Sequence, residues 1–368
     1  MISSIQLNNF KCFEEEEINL RTLNVFSELN GAGKSSVIQA LLLLRQSYLS
    51  SRRLNLQGEL VNLGSFRDIL YEEAKQEIIT IEIHFDNIYP IMNIISPRSS
   101  SEVISLARLE VQKADEHWFY QSKMFYLSAD RLGPSKSLPF YEQGHESHTP
   151  LGPRGEYVLW YLLTFGDLAV QSLPLHHPDA NQTTLKSQAE AWLHEISPGV
   201  RLDLQGIREV DLARAGFAFE REGDIPTRFF RSTNAGFGLS YVLPVVVALL
   251  AADREGLVIL ENPEAHLHPR GQTRVAELAA RAAASGIQVI LETHSDHILD
   301  GIRIAVRKGI IPPERTVFHY FERKGARAEI TTPQIDSNGR LDFWPEGFFD
   351  QHEQNLAALI APREGQAQ

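Results

Sequence analysis

Residues 23–36, L-N-V-F-S-E-L-N-G-A-G-K-S-S, constrain the fold of this chain most, because an apolar strand pattern meets a helix there through a glycine-rich turn. Gly31 and Gly33 allow backbone N–H groups to curl around a phosphate, and the following helix directs its positive end at the same anion. In the pattern G-x-x-x-x-G-K-[ST], Lys34 reaches the β- and γ-phosphates and the Ser35 hydroxyl holds Mg²⁺. The segment therefore predicts a phosphate-binding loop; a glycine-rich turn that only happens to precede Lys-Ser is the alternative.

The first position of this loop departs from the pattern, because Glu28 stands where the pattern requires glycine. A carboxylate at this position lies beside the expected polyphosphate and repels it. The loop residues predicted to contact a nucleotide are Asn30, Gly31, Ala32, Gly33, Lys34, Ser35 and Ser36.

Apolar runs divide the chain into a strand-rich beginning, a mixed middle and an end in which strands and helices alternate. Strand signals near the beginning occur at residues 5–10, 23–26, 77–85, 104–112 and 118–128. The period-2 alternation at residues 79–85 is typical of a half-buried antiparallel strand. Residues 130–230 contain helix-like runs at 156–165 and 185–196, which predict an inserted helical lobe followed by a small strand pair.

A second motif, L-V-I-L-E-N-P-E-A-H-L-H-P at residues 257–269, is an apolar strand that ends in a carboxylate. Glu261 lies at the carboxyl end of this strand, where open α/β sheets bind ligands. A carboxylate there can hold the water shell of Mg²⁺ opposite Ser35, so Ser35 and Glu261 are the predicted metal residues. A glutamate that merely ends an apolar strand is the alternative.

A third motif, L-E-T-H-S-D at residues 291–296, ends the next apolar strand in polar residues. It places His294 within reach of a γ-phosphate from the neighbouring strand, whereas a purely structural histidine is the alternative. Together with the phosphate loop, these strands predict that both ends of the chain build one α/β sheet.

Composition limits the class of protein. The net charge of −12 argues against a broadly basic nucleic-acid binder, although it leaves open a local basic groove. The sole cysteine, Cys12, excludes an intramolecular disulfide and fits a reducing cytosol. The N-terminus lacks the apolar core of a signal peptide, and the longest apolar run, residues 241–252, is shorter than the ~20 residues of a spanning helix. We therefore expect a soluble, cytoplasmic protein without membrane contact.

The order and content of the three motifs resemble an ABC-type ATPase of the SMC/RecF branch. The chain is similar to the short bacterial AAA-family ATPases related to those of overcoming-lysogenization-defect (OLD) and anti-phage defence proteins, and the resemblance covers essentially its whole length. It implies an α/β P-loop ATPase with a mixed central sheet, an N-terminal antiparallel β-subdomain and an inserted helical lobe. The implied segments are 1–130 (first half of the ATPase domain), 131–230 (lobe), 231–335 (second half) and 336–368 (C-terminal extension).

The resemblance also implies site residues that the local pattern alone does not assign. Lys11, in the opening I-Q-L-N-N-F-K-C-F, corresponds to a basic residue that contacts nucleotide. The segment S-T-N-A-G-F-G-L-S-Y-V-L-P looks like the signature motif of this branch, in which Gly236, Gly238 and Ser240 contact the γ-phosphate of ATP held by a second protomer. Such proteins close homodimers, or larger oligomers, around ATP and Mg²⁺.

A second departure concerns hydrolysis. Asn262 occupies the position that usually holds the catalytic glutamate of ABC ATPases, and an amide cannot accept the proton of the attacking water. The predicted catalytic residues are therefore Glu261, Asn262, Glu264 as a substitute base, and His294. Loss of a general base costs ~10²–10⁴-fold in rate, so we expect nucleotide binding to be more secure than fast hydrolysis.

The resemblance implies an ATP-operated switch in DNA surveillance or phage defence. OLD-type relatives carry a C-terminal Toprim nuclease, and the roughly 70 residues after His294 are too few for one, so a separately encoded effector such as a nuclease is expected. A non-hydrolysing nucleotide sensor or scaffold is the first alternative. The ATPase subunit of a transporter is disfavoured, because the signature segment is not of the L-S-G-G-Q type. Zinc binding by the pairs His176-His177 and His266/His268 is also disfavoured, since no further ligands have suitable spacing.

Overall fold

The central sheet is mixed and draws its strands from both ends of the chain. In the computed structural model its six strands lie in the order Arg327–Thr331 (β15), Thr316–Lys324 (β14), Leu23–Glu28 (β3), Gln288–Glu292 (β13), Leu257–Glu261 (β12) and Met124–Leu127 (β7). All neighbours pair in parallel except β15, which is antiparallel to β14. The prediction that both ends of the chain build one α/β sheet is therefore confirmed.

The structure describes residues 1–28, 31–51, 54–86, 88–96, 105–107, 119, 124–141, 149–220, 226–349 and 351–360. The predicted loop residue Asn30 lies outside these residues, as do parts of the strands expected at 104–112 and 118–128. None of the helices in the described ranges combines the length and the apolar character that crossing a membrane requires.

Both faces of the central sheet are covered, which explains why its strands are apolar without alternation. The first face packs against the helix Lys34–Ser51 (α1), and Phe26, Ile259 and Ile290 belong to that core. Val25, Leu260 and Leu291 point to the other face and join a second core. This second core includes the helices Phe237–Ala251 (α5), Pro269–Ala284 (α6) and Asp296–Arg307 (α7).

An antiparallel sheet lies at the beginning of the chain, as the resemblance implied. Its strands follow the order Phe13–Asn19 (β2), Ile2–Phe10 (β1), Ile79–Phe85 (β4), Ile88–Ser96 (β5) and Ser105–Ala107 (β6). Buried and half-buried residues alternate strictly along β4, which confirms the prediction of a half-buried antiparallel strand. A short helix, Phe66–Ile69 (α2), precedes β4.

The middle of the chain contains the two helices expected there, Val158–Phe165 (α3) and Leu185–Ile196 (α4). A four-stranded sheet accompanies them instead of the expected strand pair. Its strands are Leu138–Pro139 (β8), Val200–Ile207 (β9), Leu212–Phe219 (β10) and Phe230–Arg231 (β11). β8 and β11 pair with opposite ends of β10 and are only two residues long, which is too short for a period-2 pattern to reveal. A last helix, Gln351–Ile360 (α8), follows near the end of the chain.

Candidate functional site

The glycine-rich loop connects β3 to α1 through two glycines that other residues cannot replace without strain. Gly31 and Gly33 have φ angles of +85° and +120°, in the region that favours glycine. A Cβ atom on Gly33 would also lie 2.5 Å from the Cys12 sulfur. The strand end and the turn therefore occur where the sequence predicted them, and the helix that follows begins at Lys34. Ala32 and Ser36 are buried beneath the turn.

The loop encloses the carboxylate of Glu28. The backbone N–H groups of Gly31, Gly33 and Lys34 donate to its two oxygens over 3.0, 2.9 and 3.1 Å. Burial acts to raise the pKa of Glu28, but hydrogen bonds and charge from Lys34 outweigh it, so the pKa lies below its ordinary value. The donors that the sequence assigned to a phosphate thus already hold one anionic group.

Lys34 lies at the centre of the site, and its side chain is 2% exposed. Its ammonium group contacts Glu28 at 3.1 Å, Glu292 at 3.3 Å and the Nε2 atom of His294 at 2.7 Å. Burial and the charge of Lys34 lower the pKa of His294, so its ring is neutral and Nε2 accepts the hydrogen bond. The structure therefore brings Lys34 and His294 together, as the motif order predicted.

Glu292 is a residue of this site that the sequence analysis missed. The Ser35 hydroxyl donates to both of its carboxylate oxygens, each at 3.1 Å. Glu292 ends β13 directly opposite Glu261 of β12, because the two strands pair in parallel register. Burial and the charge of Glu261 raise the pKa of Glu292 to about 7. Its place at a strand end, two residues before His294, was the signal in the sequence.

Glu261, the predicted metal residue, is held by groups other than Ser35. One of its oxygens accepts a hydrogen bond from the Tyr126 hydroxyl at 3.1 Å, and the other accepts from the Ala129 N–H at 2.9 Å. Burial raises the pKa of this carboxyl group. Direct contact with Ser35 is made by Glu292, so metal binding by Glu261 stays a prediction.

The loop after β12 is fixed by a buried arginine. Arg131 is 1% exposed and donates to the backbone carbonyls of Glu261 and Asn262, the latter at 2.6 Å. Asn262 has a φ of +44°, and its side-chain oxygen is buried without a hydrogen-bond partner among the described residues. Arg131 therefore supports the backbone that carries the predicted catalytic residues, a role that its sequence context did not reveal.

Glu264 approaches His294 through the backbone. Its Oε1 atom accepts a hydrogen bond from the His294 N–H at 3.1 Å, which joins the loop after β12 to the end of β13. Burial raises the pKa of Glu264. A carboxylate with a raised pKa binds a proton more readily, and the role of Glu264 as a substitute base stays a prediction.

The predicted signature segment begins α5. Gly236 has a φ of +92° and is exposed, whereas a Cβ atom on Gly238 would lie 2.7 Å from the His266 carbonyl oxygen. The Ser240 hydroxyl is buried and has no hydrogen-bond partner among the described residues. The exposed groups at this helix start are thus Gly236 and Phe237, and contact of Ser240 with a second protomer stays a prediction.

Two other expectations concern ligands at the edge of the site. Lys11 donates to Gln39 on α1, and burial lowers the pKa of Lys11. No group of three or more histidine, cysteine, aspartate or glutamate side chains with a metal-binding arrangement occurs in the described part of the chain.

Comparisons with known proteins relate most of the chain to one family. A family model described as "AAA domain, putative AbiEii toxin, Type IV TA system" matches residues 29–300, and a model for a protein of unknown function (DUF3696) matches residues 311–359. An OLD nuclease of Thermus scotoductus is 23% identical over 344 residues, which span 82% of this chain and 60% of that protein.

Two solved structures are similar in fold. An SMC head bound to the C-winged helix domain of ScpA has 13% identity and a TM-score of 0.49, with 91% of this chain and 98% of that chain covered. The SMC head domain from Thermotoga maritima has 10% identity and a TM-score of 0.48, with 91% and 99% covered.

Proposed function

The chain belongs to this AAA-domain family, as an SMC/RecF-like ABC-type ATPase related to OLD and defence ATPases, and we propose that it is a molecular switch that binds ATP at residues 31–36. One observation carries the proposal: three backbone N–H groups and the Lys34 ammonium converge on one anion, the Glu28 carboxylate. A loop that holds a carboxylate in this way has the donor set that a phosphate requires.

The chain's own residues then have defined tasks. ATP phosphates displace the Glu28 carboxylate, and Lys34 exchanges its carboxylate partners for phosphate oxygens. His294 contacts the Lys34 ammonium and therefore lies near the terminal phosphate when ATP is bound. In this position it senses whether that phosphate is present. Mg²⁺, which fits the Ser35 hydroxyl and the strand-end carboxylates, neutralises phosphate charge when bound.

Hydrolysis is proposed to be slow. Asn262 orients water but accepts no proton, so Glu264 is the remaining base near His294. Slow turnover suits a switch, since ATP binding then sets one state and hydrolysis releases it. A non-hydrolysing sensor or scaffold is the second candidate, favoured by Glu28 and Asn262 together. Phosphate release measured over hours separates the two.

The switch is proposed to act through a two-fold dimer and a separately encoded effector. The exposed start of α5, at Gly236 and Phe237, offers backbone N–H groups to the terminal phosphate bound by a second copy. The match covers 60% of the length of the OLD nuclease. The name of that relative supports a nuclease as the class of effector and phage defence or DNA surveillance as the process. Affinity purification from the native host, with and without ATP, tests for this partner.

Calorimetry with Mg-ATP tests the nucleotide site. Lys34→Ala is expected to weaken binding at least tenfold, or about 1.4 kcal/mol, because the ammonium at the centre of the site is lost. Lys324→Ala is the matched control, since that lysine is exposed and forms a surface ion pair with Glu329 on the sheet edge. Equal affinities for wild type and Lys34→Ala would contradict the assignment.

A further inference from the structure

We propose that Glu292, which no motif assigns, is the strand-end carboxylate that binds Mg²⁺ together with Ser35. The inference rests on the proposed ATP site and names a residue of that site.

The first reason is geometric. The Ser35 hydroxyl, at the start of α1, lies 3.1 Å from both oxygens of Glu292. The two oxygens of Glu261 instead accept hydrogen bonds from Tyr126 and Ala129. Of the two carboxylates that end neighbouring strands, only Glu292 is therefore in direct contact with the hydroxyl that the loop pattern assigns to the metal.

The second reason is electrostatic. The Glu292 side chain is 7% exposed, and the Lys34 ammonium at 3.3 Å is the cation that compensates its charge. Glu261 lies opposite in the strand register and adds a second negative charge nearby. When Lys34 turns to ATP phosphates, Glu292 loses its cation. The buried group then binds either a proton or another cation, because an uncompensated buried carboxylate is strongly destabilising. A divalent cation at Ser35 restores the balance.

The third reason is the donor set. Mg²⁺ prefers oxygen ligands and is held in nucleotide sites by one or two carboxylates with phosphates and waters. A serine hydroxyl and the Glu292 carboxylate, already in mutual contact, supply protein oxygens of that kind. The Lys34 ammonium already lies beside this pair, 3.3 Å from Glu292, which shows that the position accepts a positive charge.

The first experiment separates metal binding from nucleotide binding. Calorimetry measures the Kd of ATP in EDTA and in Mg²⁺, and the ratio of the two is the metal effect. In the wild type we expect Mg²⁺ to tighten ATP binding at least tenfold. Glu292→Gln should tighten ATP binding in EDTA, because no buried charge is left uncompensated, and should remove most of the tightening by Mg²⁺. The exposed control Glu329→Gln should keep both affinities. A metal effect that survives in Glu292→Gln, or that is absent from the wild type, overturns the inference.

A second variant guards against a folding defect in Glu292→Gln. A thiolate prefers the softer ion Cd²⁺ over Mg²⁺. The quantity measured is the affinity for ATP in Cd²⁺ divided by the affinity in Mg²⁺. Glu292→Cys should raise this ratio at least tenfold above that of the wild type. The wild type also contains Cys12, so it controls for Cd²⁺ binding to the native thiol. An unchanged ratio overturns the inference.

The same data distinguish this inference from the proposed function. Absence of ATP binding to the wild type in both EDTA and Mg²⁺ means that the nucleotide site itself is wrong. ATP binding with a metal effect that is independent of Glu292 leaves the ATP site in place and removes only the metal role of Glu292.

Discussion

Removal of the Glu28 carboxylate is expected to tighten ATP binding. This side chain is 7% exposed, and its carboxylate accepts hydrogen bonds from the loop N–H groups that ATP phosphates require. When phosphate binds, the loop N–H groups exchange the oxygens of Glu28 for phosphate oxygens, so they lose no hydrogen bonds. The free energy that opposes ATP binding is therefore the cost of moving the Glu28 carboxylate out of the loop. Because a net charge-assisted hydrogen bond contributes about 1.5–3 kcal/mol, we take that range for the preference of Glu28 for the cradle.

A preference of this size lowers the population of the binding-competent loop and raises the apparent Kd by about 10–150-fold. Glu28→Gly should therefore tighten ATP binding by about that factor. Glu28→Gln keeps the shape but forms only neutral hydrogen bonds, so we expect a smaller gain, about tenfold. Calorimetry or a fluorescent ATP analogue measures both variants.

The stability of the same variants provides the internal check. Without ATP, Glu28→Gly leaves the loop N–H groups and Lys34 without their carboxylate, so its Tm should be lower than that of the wild type. Saturating ATP should shrink or reverse the difference, because ligand binding stabilises the folded state. If Glu28→Gly bound ATP no more tightly than the wild type, the carboxylate would not compete with phosphate and the reasoning would be refuted.

Three further predictions follow from the site and the core. Asn262→Glu should raise ATP turnover at least tenfold in a phosphate-release assay, because it restores a base worth ~10²–10⁴-fold; wild-type turnover near the ~10 s⁻¹ of ordinary enzymes would contradict this. Phe237→Asp should spare ATP binding and abolish the ATP-dependent increase in mass measured by light scattering, since Phe237 is 56% exposed at the start of α5. A wild-type mass that does not change with a slowly hydrolysed ATP analogue would exclude the ATP-bound dimer. Burial lowers the pKa of His319 from 6.5 to about 4, so its stabilising effect is present above pH 6.5 and is lost as pH falls toward 4. In urea titrations the wild type should lose about 2.5 kcal/mol more unfolding free energy than His319→Gln between pH 7 and 4.5. Parallel pH profiles of the two proteins would contradict the shift.

The sequence was sufficient for features that depend on local pattern. The turn at Gly31 and Gly33, the apolar strands β12 and β13 and the half-buried strand β4 each follow from residue type and spacing. The division of the chain into four segments stays a prediction.

Features that depend on contacts between distant segments could not be predicted. Parallel register between β12 and β13 decides that Glu292 lies opposite Glu261, and only the position of α1 on the sheet decides that Ser35 reaches Glu292. The rotation of α5 buries the Ser240 hydroxyl, which a glycine-rich helix start does not reveal. Repulsion was the expected effect of Glu28, whereas the structure shows its carboxylate inside the loop, as an occupant of the cradle.

The charges of the site explain why ATP and a divalent cation would enter together. Lys34 is the cation shared by Glu28 and Glu292, and the neutral His294 ring accepts a hydrogen bond from its ammonium group. ATP draws Lys34 away from both carboxylates. Phosphate also takes the place of Glu28 in the loop, whereas Glu292 stays at the end of β13 beside the Ser35 hydroxyl. The charge that Lys34 leaves uncompensated is therefore that of Glu292, beside the Ser35 hydroxyl, which is where a divalent cation lowers the free energy of the ATP-bound state most.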